Sequence, residues 1–261
     1  MSKRVDAAVV VDKLSKTYPD GTEALKSFDL EVPKGQLVAI IGPSGAGKST
    51  LMRCINRLVD PTSGRVIVNG HEVTKASRKE LRAIRREIGM VFQHFHLVQR
   101  LPTVRNVLHG RLGYTSSLRG ALGMFREDDV NRALDILATV GLEKQAFKRC
   151  SDLSGGQMQR VGIARAMMQD ARLILADEPI ASLDLSASET VMKHLKDVAV
   201  AEGIAALVNL HQVDYATSFA DRIVGVRGGE LYCDVPTSEL TETMVRELYY
   251  GDMPDPALED A

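Results

Sequence analysis

The sequence is poor in the residues that stabilise small secreted folds. Tryptophan is absent, aromatic residues make up 5% of the chain, and there are three cysteines, Cys54, Cys150 and Cys233. The cysteines lie far apart and none belongs to a Cys-x-x-Cys pair, so the sequence favours three free thiols over a disulfide framework or a zinc site. This use of cysteine is typical of a protein from a reducing compartment.

Long apolar runs and an excess of charge of one sign are also missing. The longest apolar stretches, such as residues 37–41, have the length of a strand and fall short of the roughly 18 residues of a membrane span. The apolar residues near the N-terminus are too few for a signal peptide. The 33 basic and 34 acidic residues leave a formal net charge of −1, which excludes a general nucleic-acid binder. We therefore expect neither a membrane span nor nucleic acid as a partner.

The chain of 261 residues alternates short apolar stretches with stretches of helical periodicity. This alternation indicates a parallel sheet with helices on both faces. Thr103 is a candidate N-cap for a helix in the middle of the chain, and Ser186 with Glu189 is a candidate capping box. Residues 251–261 have few large apolar side chains and are expected to form a flexible tail. The predicted strands lie at residues 9–11, 37–41, 65–68, 173–176 and 205–210.

A glycine-rich stretch with the spacing G-x-x-x-x-G-K-[ST] follows the strand predicted at residues 37–41 and precedes a predicted helix. Glycines let successive backbone N–H groups turn inward as a nest for an anion, and the positive end of the following helix points to the same place. Lys48 would add a positive charge for phosphates, and Ser49 would offer a hydroxyl to Mg²⁺. The residues predicted to bind a nucleoside triphosphate are Gly42, Pro43, Ser44, Gly45, Ala46, Gly47, Lys48, Ser49 and Thr50.

The apolar strand predicted at residues 173–176 ends in two acids, Asp177 and Glu178. Because the carboxyl ends of parallel strands line the ligand crevice of such a sheet, both side chains are expected to face the phosphates. Asp177 would reach the Mg²⁺ that Ser49 holds. Glu178, one residue further on, would orient or deprotonate the water that attacks the γ-phosphate.

Residues 153–157 read Leu-Ser-Gly-Gly-Gln and open a predicted helix. Ser154 and Gln157 have the spacing of a capping box. Two glycines, Gly155 and Gly156, leave the N–H groups at the start of this helix accessible to an anion. The string therefore predicts a second anion-binding helix end.

These three motifs, in this order and spacing, closely resemble those of the ATP-binding subunit of ABC transporters, over roughly residues 9–249. The Leu-Ser-Gly-Gly-Gln string is the mark of that family. The resemblance implies that Gln93 is a catalytic residue and a further Mg²⁺ ligand, that Asp184 belongs to the nucleotide site, and that His211 acts in hydrolysis with Glu178 and Lys48. It also implies that Tyr18 stacks on the adenine of ATP.

The family fold implied by the resemblance is α/β, a P-loop NTPase (RecA-like) core with a mixed sheet plus an inserted α-helical subdomain. Residues 1–250 would form a single ATPase domain, with the core at about 1–92 and 170–250 and the helical subdomain at about 93–169. Two copies would pair head to tail. Each ATP, bound with Mg²⁺, would then lie between the phosphate loop of one copy and the following residues of the other: Ser154, Gly155, Gly156 and Gln157.

The same resemblance implies partners that the chain does not contain. Two transmembrane permease subunits would be separate polypeptides. An extracytoplasmic substrate-binding protein would be an indirect partner. This chain would lie on the cytoplasmic face of the cell membrane. Residues 91–95, 177–184 and 211–216 further resemble phosphonate-import ATPases. The motifs leave two alternatives open: a polar amino-acid or methionine importer ATPase of the same fold, and a soluble ABC ATPase without a transporter.

The stretch after Gln93 is apolar for a connection between two parts of a domain. Phe95, Leu97, Val98 and Leu101 lie in it. Since the family places the groove for a cytoplasmic helix of the permease beside this region, we expect an exposed apolar patch there. The alternative is a buried connector.

Overall fold

A computed structural model describes residues 7–251, and in them the chain forms two β-sheets. The first sheet is antiparallel and lies in the N-terminal part of the chain. It consists of β1 (Ala7–Thr17), β2 (Glu23–Pro33), β4 (Ser63–Val68) and β5 (His71–Glu72). Their order in the sheet is β2-β1-β4-β5. The pairing of β1 with β2 contains several register shifts, which interrupt the regular ladder of this long hairpin.

The second sheet has six strands. Candidate site residues lie at the carboxyl-terminal ends of several of them. Its strands are β3 (Leu37–Ile41), β6 (Ile88–Phe92), β7 (Leu173–Asp177), β8 (Ala205–Asn209), β9 (Arg222–Arg227) and β10 (Glu230–Pro236). Their order is β10-β9-β3-β8-β7-β6, with β10 antiparallel to β9 and the other pairs parallel. Every residue of β3, β7 and β8 is buried, as expected of strands covered on both faces. The α/β class with a mixed sheet is confirmed.

Helices cover the second sheet and fill the long connection between β6 and β7. Nine α-helices occur in the described chain: α1 (Lys48–Ile55), α2 (Arg78–Arg86), α3 (Thr103–Leu108), α4 (Ser117–Ala121), α5 (Glu127–Thr139), α6 (Gly155–Met168), α7 (Leu185–Glu202), α8 (Val213–Phe219) and α9 (Glu242–Tyr250). Helices α3 to α6 all lie between β6 and β7, together with short 3-10 turns and no strand. The chain therefore leaves the sheet at Phe92 and returns to it at Leu173.

Three apolar clusters hold these layers together. The first joins the antiparallel sheet and α1 to one face of the second sheet, and the second joins the opposite face to α6, α7, α8 and α9. The third lies among α3, α5 and α6. Helix α6 takes part in two of them, because Ile163 and Ala166 face the sheet whereas Val161 and Ala164 face the helices of the connection. The helical connection is thus packed onto the sheet through α6.

The structure corrects two local predictions. Helix α3 begins at Thr103, and its N-cap residue is Pro102, which has no side chain to cap with. The Thr103 hydroxyl instead donates to the Lys148 carbonyl at 3.1 Å. Helix α7 begins earlier than the Ser186–Glu189 capping box requires, because the carboxylate of Asp184 accepts from the Ala187 N–H at 2.8 Å and caps the helix there.

The cysteines, the length of the helices and the C-terminal residues were also the subject of predictions. The three cysteines are free, as predicted, and burial raises the pKa of Cys54 to about 11. In residues 7–251, none of the helices combines the length and the apolar character needed to cross a bilayer. The tail predicted at residues 251–261 lies outside the described residues, except for Gly251.

Candidate functional site

The glycine-rich loop between β3 and α1 needs glycine at its two ends. Gly42 has φ of +143° and Gly47 has φ of +103°. A Cβ atom would lie 2.0 Å from the Val226 carbonyl oxygen at Gly42, and 2.2 Å from the Ala24 carbonyl oxygen at Gly47. The backbone therefore turns tightly against two neighbouring strands and delivers the chain into α1, whose first N–H groups have no acceptor within the helix.

Lys48 is the first residue of α1 and its side chain folds back over the loop. Its Nζ atom donates to the carbonyl oxygens of Gly42 at 2.6 Å and Pro43 at 2.9 Å. Only 5% of the residue is exposed, and burial lowers the pKa of the Lys48 ammonium group, against the opposing effect of the Glu178 and Asp177 charges. The ammonium group is thus held at the edge of the loop, where it can meet an anion bound there.

Strand register brings the polar strand ends together. In the pairing of the second sheet, Asn209 of β8 lies opposite both Ile40 of β3 and Asp177 of β7, and Asp177 lies opposite Phe92 of β6. The four strands therefore end at nearly the same level, at the edge of the sheet where the phosphate loop begins. Gln93 follows Phe92 by one residue at this edge.

Ser49, Asp177 and Asn209 form a connected group at this edge. The Ser49 hydroxyl donates to Asp177 Oδ1 at 2.8 Å. The buried Asn209 amide donates from Nδ2 to the same carboxylate oxygen at 2.8 Å and to Ser49 Oγ at 3.2 Å. A further contact comes from Arg53, whose guanidinium lies 3.7 Å from Asp177 Oδ2. A hydroxyl and a carboxylate oxygen, the two donors predicted for Mg²⁺, are therefore adjacent.

Glu178 and His211 face each other beside this group. The Oε1 atom of Glu178 lies 2.7 Å from Nε2 of His211. Glu178 has φ of +51°, an unfavourable backbone conformation for a residue with a side chain, and its N–H donates to the Asn209 carbonyl at 3.2 Å. The turn after β7 thus directs the second carboxylate away from the strand and toward the histidine.

A cavity of about 300 Å³ unites most of the predicted nucleotide-binding residues. Tyr18 lies at this cavity, with its hydroxyl 3.2 Å from Thr50 Oγ1 and the Lys16 ammonium 5.1 Å from its ring centre. The residues that line the cavity are Tyr18, Thr22, Ala24, Ser44, Gly45, Ala46, Gly47, Lys48, Ser49, Thr50, Glu178 and His211. Three predicted residues do not line the cavity but bond to residues that do. Lys48 bonds to Gly42 and Pro43, and Ser49 bonds to Asp177.

Gln93 does not line the cavity, and it lies half-buried in the turn that follows β6. Helix α6 holds the segment on either side of it. Arg165 donates to the carbonyl oxygens of Phe95 at 3.2 Å and His96 at 2.7 Å, and Gln159 donates to the Phe92 carbonyl at 3.4 Å. A movement of α6 would therefore carry the turn that contains Gln93 with it.

The apolar stretch after Gln93 is neither the exposed patch that was expected nor a buried connector. Phe95, Leu97 and Leu101 are half-buried, and Leu97 packs against the third apolar cluster. Val98 is 38% exposed. Of these four apolar side chains only Val98 is exposed, and the other three are partly covered.

The Leu-Ser-Gly-Gly-Gln string lies away from the cavity of its own chain. Ser154 and Gln157 form the predicted capping box at the start of α6. A Cβ atom at Gly156 would lie 2.7 Å from the Ala187 Cβ, and one at Gly155 would lie 3.2 Å from a Leu183 methyl group. The two glycines thus allow α6 to begin in close contact with the segment that carries Asp184, which is exposed at the start of α7.

Sequence reasoning missed Asn209. The residue stands at the end of an otherwise apolar strand, and this single polar residue is the signal that could have drawn attention to it. Its role follows only from strand pairing, which brings its amide between Ser49 and Asp177.

A phosphate loop between β3 and α1, with the acidic end of β7 beside it in a largely parallel sheet, defines a P-loop nucleotide-binding protein. The comparison with family models is consistent with this class: the model described as ABC transporter matches residues 25–181. The chain belongs to the ABC transporter family, as the motifs predicted.

Two curated relatives cover nearly the whole chain. The phosphonates import ATP-binding protein PhnC 2 of Halalkalibacterium halodurans is 55% identical over 92% of this chain and 98% of its own length. The phosphonates import ATP-binding protein PhnC of Treponema denticola is 51% identical over 90% of this chain and 93% of its own length.

Solved structures show the same fold. The ATP-binding cassette MJ0796, a dimer in a post-hydrolysis state bound to ADP and Pi, is 35% identical with a TM-score of 0.77, over 88% of this chain and 98% of that one. The protein cbiO1 from Clostridium perfringens, part of the ABC transporter complex cbiONQ, is 29% identical with a TM-score of 0.80, over 94% of this chain and 96% of that one.

Proposed function

We propose that this chain is the ATP-binding and ATP-hydrolysing subunit of an importer for phosphonates. The observation that carries the proposal is the identity of 55% and 51% to two phosphonates import ATP-binding proteins over nine-tenths of the chain. The cavity beside the phosphate loop supports it, because Lys48, Ser49, Glu178 and His211 all line that cavity.

ATP would bind with its phosphates on the glycine-rich loop. Residues 44–47 and the first residues of α1 line the cavity, and the unpaired N–H groups at the start of a helix are donors of the kind that phosphate oxygens need. Lys48 would leave the carbonyl groups of Gly42 and Pro43 and pair with a phosphate, which is a stronger, charge-assisted contact. The ring of Tyr18, which also lines the cavity, would stack on adenine.

Mg²⁺ would be held by the Ser49 hydroxyl and the Asp177 carboxylate. These oxygens fit the ion, because Mg²⁺ prefers oxygen ligands and is usually held by one or two protein groups together with phosphate oxygens. No cluster of three or more His, Cys, Asp or Glu side chains suited to a metal is found among residues 7–251, so we expect no all-protein metal cage there. Bound between these groups and ATP, the ion would neutralise charge on the phosphates. Gln93, at the same sheet edge, would be a further ligand after a movement of its turn.

Hydrolysis would depend on the pair formed by Glu178 and His211. The Glu178 carboxylate would accept a proton from the attacking water, and its contact with His211 at 2.7 Å would keep it in place. The turn at Glu178 is fixed through its N–H bond to the Asn209 carbonyl, so the carboxylate reaches the cavity without a change in β7.

The assembly would be a head-to-tail pair of two copies. Four residues at the start of α6 do not line the cavity of their own chain and are therefore available to the nucleotide of a second copy: Ser154, Gly155, Gly156 and Gln157. The exposed Asp184 would lie near them. The dimeric state of the cassette MJ0796 supports this arrangement. Residues 93–169 would form a helical subdomain that moves with respect to a core made of residues 1–92 and 170–250.

The pair would act on two transmembrane permease subunits at the cytoplasmic face of the cell membrane, supplied by an extracytoplasmic substrate-binding protein. That cbiO1 is part of an ABC transporter complex supports membership of such a complex. The permease subunits would be separate polypeptides.

Growth on methylphosphonate as the sole phosphorus source tests the substrate. We expect deletion of the gene to stop this growth but not growth on phosphate, and we expect the wild-type gene to restore it. Lys48→Ala should not restore growth, because loss of the buried ammonium removes the charge that phosphoryl transfer requires. The matched control is Lys75→Ala, at a side chain 83% exposed, which should restore growth fully.

Two other outcomes would overturn the proposal. Normal growth of the deletion strain on methylphosphonate, with impaired uptake of methionine or a polar amino acid, would assign the chain to another importer. Failure of the chain to sediment with membranes, in cells that express the complete transporter, would favour a soluble ATPase.

A further inference from the structure

The hydroxyl of Tyr249, in the last turn of α9, lies between two segments of the candidate site. It accepts from the Gly42 N–H at 3.3 Å and donates to the His211 carbonyl at 3.2 Å. A phenolic hydroxyl can do both at once, since it has one proton and free lone pairs. One side chain near the end of the chain therefore connects the first residue of the phosphate loop with the residue that contacts Glu178.

This connection continues the pairing between β3 and β8 beyond the last paired residues. The Leu210 N–H donates to the Ile40 carbonyl at 3.0 Å, which fixes the chain up to the residue before His211. From His211 the chain turns away from the sheet and enters α8 at Val213. The Tyr249 hydroxyl is the contact that holds the main chain of His211 against the start of the phosphate loop.

Helix α9 is anchored independently of this hydroxyl. Leu248 is fully buried in the second apolar cluster and lies close to Gly225 of β9. Glu247 accepts from the Tyr232 hydroxyl at 2.5 Å, and its main-chain carbonyl accepts from Arg227 at 3.0 Å. Removal of the Tyr249 oxygen alone should therefore leave the helix where it is.

The ring of Tyr249 is half-buried, and burial raises the pKa of its hydroxyl while the Gly42 N–H acts in the opposite direction. The hydroxyl thus keeps its proton at neutral pH. Since it keeps the proton, it remains a donor to the His211 carbonyl throughout the range in which an ATPase is assayed.

We propose that Tyr249 is a positioning residue for hydrolysis, which holds the main chain of His211 so that its ring reaches Glu178. This inference rests on the proposed function, because it assigns the contact a role in the same reaction. It predicts that the hydroxyl matters for the rate of hydrolysis much more than for the binding of ATP, since neither Tyr249 nor Gly42 is among the residues that line the cavity with Lys48 and Ser49.

The test compares Tyr249→Phe with Tyr250→Phe in the purified full-length chain. Both changes remove one hydroxyl from α9, but Tyr250 is 69% exposed and serves as the matched control. For Tyr249→Phe we expect kcat to fall about threefold to tenfold, the effect of one lost hydrogen bond, with the KM for ATP changed less than about twofold. For Tyr250→Phe we expect no change in either constant.

A second comparison separates positioning from a general structural effect. In a His211→Ala background, Tyr249→Phe should cause little further loss of kcat, because the group that it positions is already absent. The thermal unfolding midpoints of Tyr249→Phe and Tyr250→Phe should also agree within a few degrees.

Three results would overturn the inference. They are a wild-type kcat for Tyr249→Phe, an equal loss in the presence and absence of the His211 side chain, and a loss of kcat that follows a lowered unfolding midpoint. Absence of ATP hydrolysis from the wild-type chain and its assembled transporter would instead reject the proposed function itself, so the two failures are distinguishable.

Discussion

The Nε2 atom of His211 lies 2.7 Å from Oε1 of Glu178, and the two residues stand on turns that follow neighbouring strands, β8 and β7. Both side chains line the cavity of the phosphate loop. The contact joins Glu178, the predicted general base, to His211, the histidine predicted to act in hydrolysis, within one chain. The position of the carboxylate is thereby coupled to the turn after β8, where the Tyr249 hydroxyl donates to the His211 carbonyl. The Glu178 N–H also donates to the Asn209 carbonyl at the end of β8.

We predict that Glu178→Gln still binds ATP but hydrolyses it slowly. Glutamine keeps the shape and hydrogen bonding of glutamate but is far too weak a base, so the rate should fall by a factor of about 10² to 10⁴. The ATP-bound pair of subunits should then accumulate, which light scattering with and without Mg-ATP would measure. Glu189→Gln, an exposed change on α7, is the control. An unchanged ATPase rate for Glu178→Gln would falsify the role of this carboxylate.

We predict that Asn209→Leu weakens the part of ATP binding that depends on Mg²⁺. Leucine fills a similar volume in the buried site but cannot donate to Asp177 and Ser49, so both oxygen ligands lose a hydrogen-bond donor that supports their direct contact. Loss of a hydrogen bond to a charged group corresponds to about tenfold or more in affinity. Titration with a fluorescent ATP analogue should show this loss with Mg²⁺ and little change in EDTA.

An equal loss of affinity in both conditions would show that Asn209 acts on the nucleotide site as a whole and not on the metal ligands. The thermal unfolding midpoint provides the check on folding. It matters here because Asn209 is fully buried.

The parts of the fold that the sequence predicts well are those in which a local pattern and its tertiary environment agree. The strands β3, β7 and β8 are continuous apolar runs because they are buried on both faces. The start of α6 was predicted because Ser154 and Gln157 form their capping box within the helix itself, with no need of a distant partner.

The parts that sequence reasoning missed depend on contacts between distant segments. Strand β1 is longer than the strand predicted at residues 9–11, and β2 was not predicted, since register shifts interrupt the alternation that would mark both strands. The capping box predicted at Ser186 does not form, because Asp184 caps the same helix two residues earlier. Asn209 is joined to Ser49, 160 residues away, a contact that no local pattern can indicate.

We predict that Leu97→Glu and Val98→Glu, one residue apart, have different effects. Leu97 packs on the third apolar cluster, so a charge there should lower the unfolding midpoint. Val98 is 38% exposed, and its main chain is held on both sides by the Asn106 amide, at 2.8 Å and 3.1 Å. Val98→Glu should therefore leave the purified subunit folded and able to bind ATP.

In cells, Val98→Glu should reduce growth on methylphosphonate if this side chain contacts the permease, as the family resemblance implies for the segment after Gln93. Full growth of the Val98→Glu strain, together with an unfolded Leu97→Glu protein, would assign the segment a purely structural role.

The last prediction separates two roles of Asp184. Its carboxylate caps α7 by accepting from the Ala187 N–H at 2.8 Å, and the family resemblance also places it at the nucleotide site of the pair. Asparagine caps a helix about as well as aspartate, whereas alanine does not, so Asp184→Ala should lower the free energy of unfolding by about 1 kcal/mol and Asp184→Asn by less.

If the negative charge is needed at the interface between two copies, both variants should hydrolyse ATP more slowly, even though Asp184→Asn retains its cap. Urea unfolding and steady-state ATPase assays on the same preparations would measure both effects. Full activity of Asp184→Asn would limit this residue to capping and contradict its assignment to the nucleotide site.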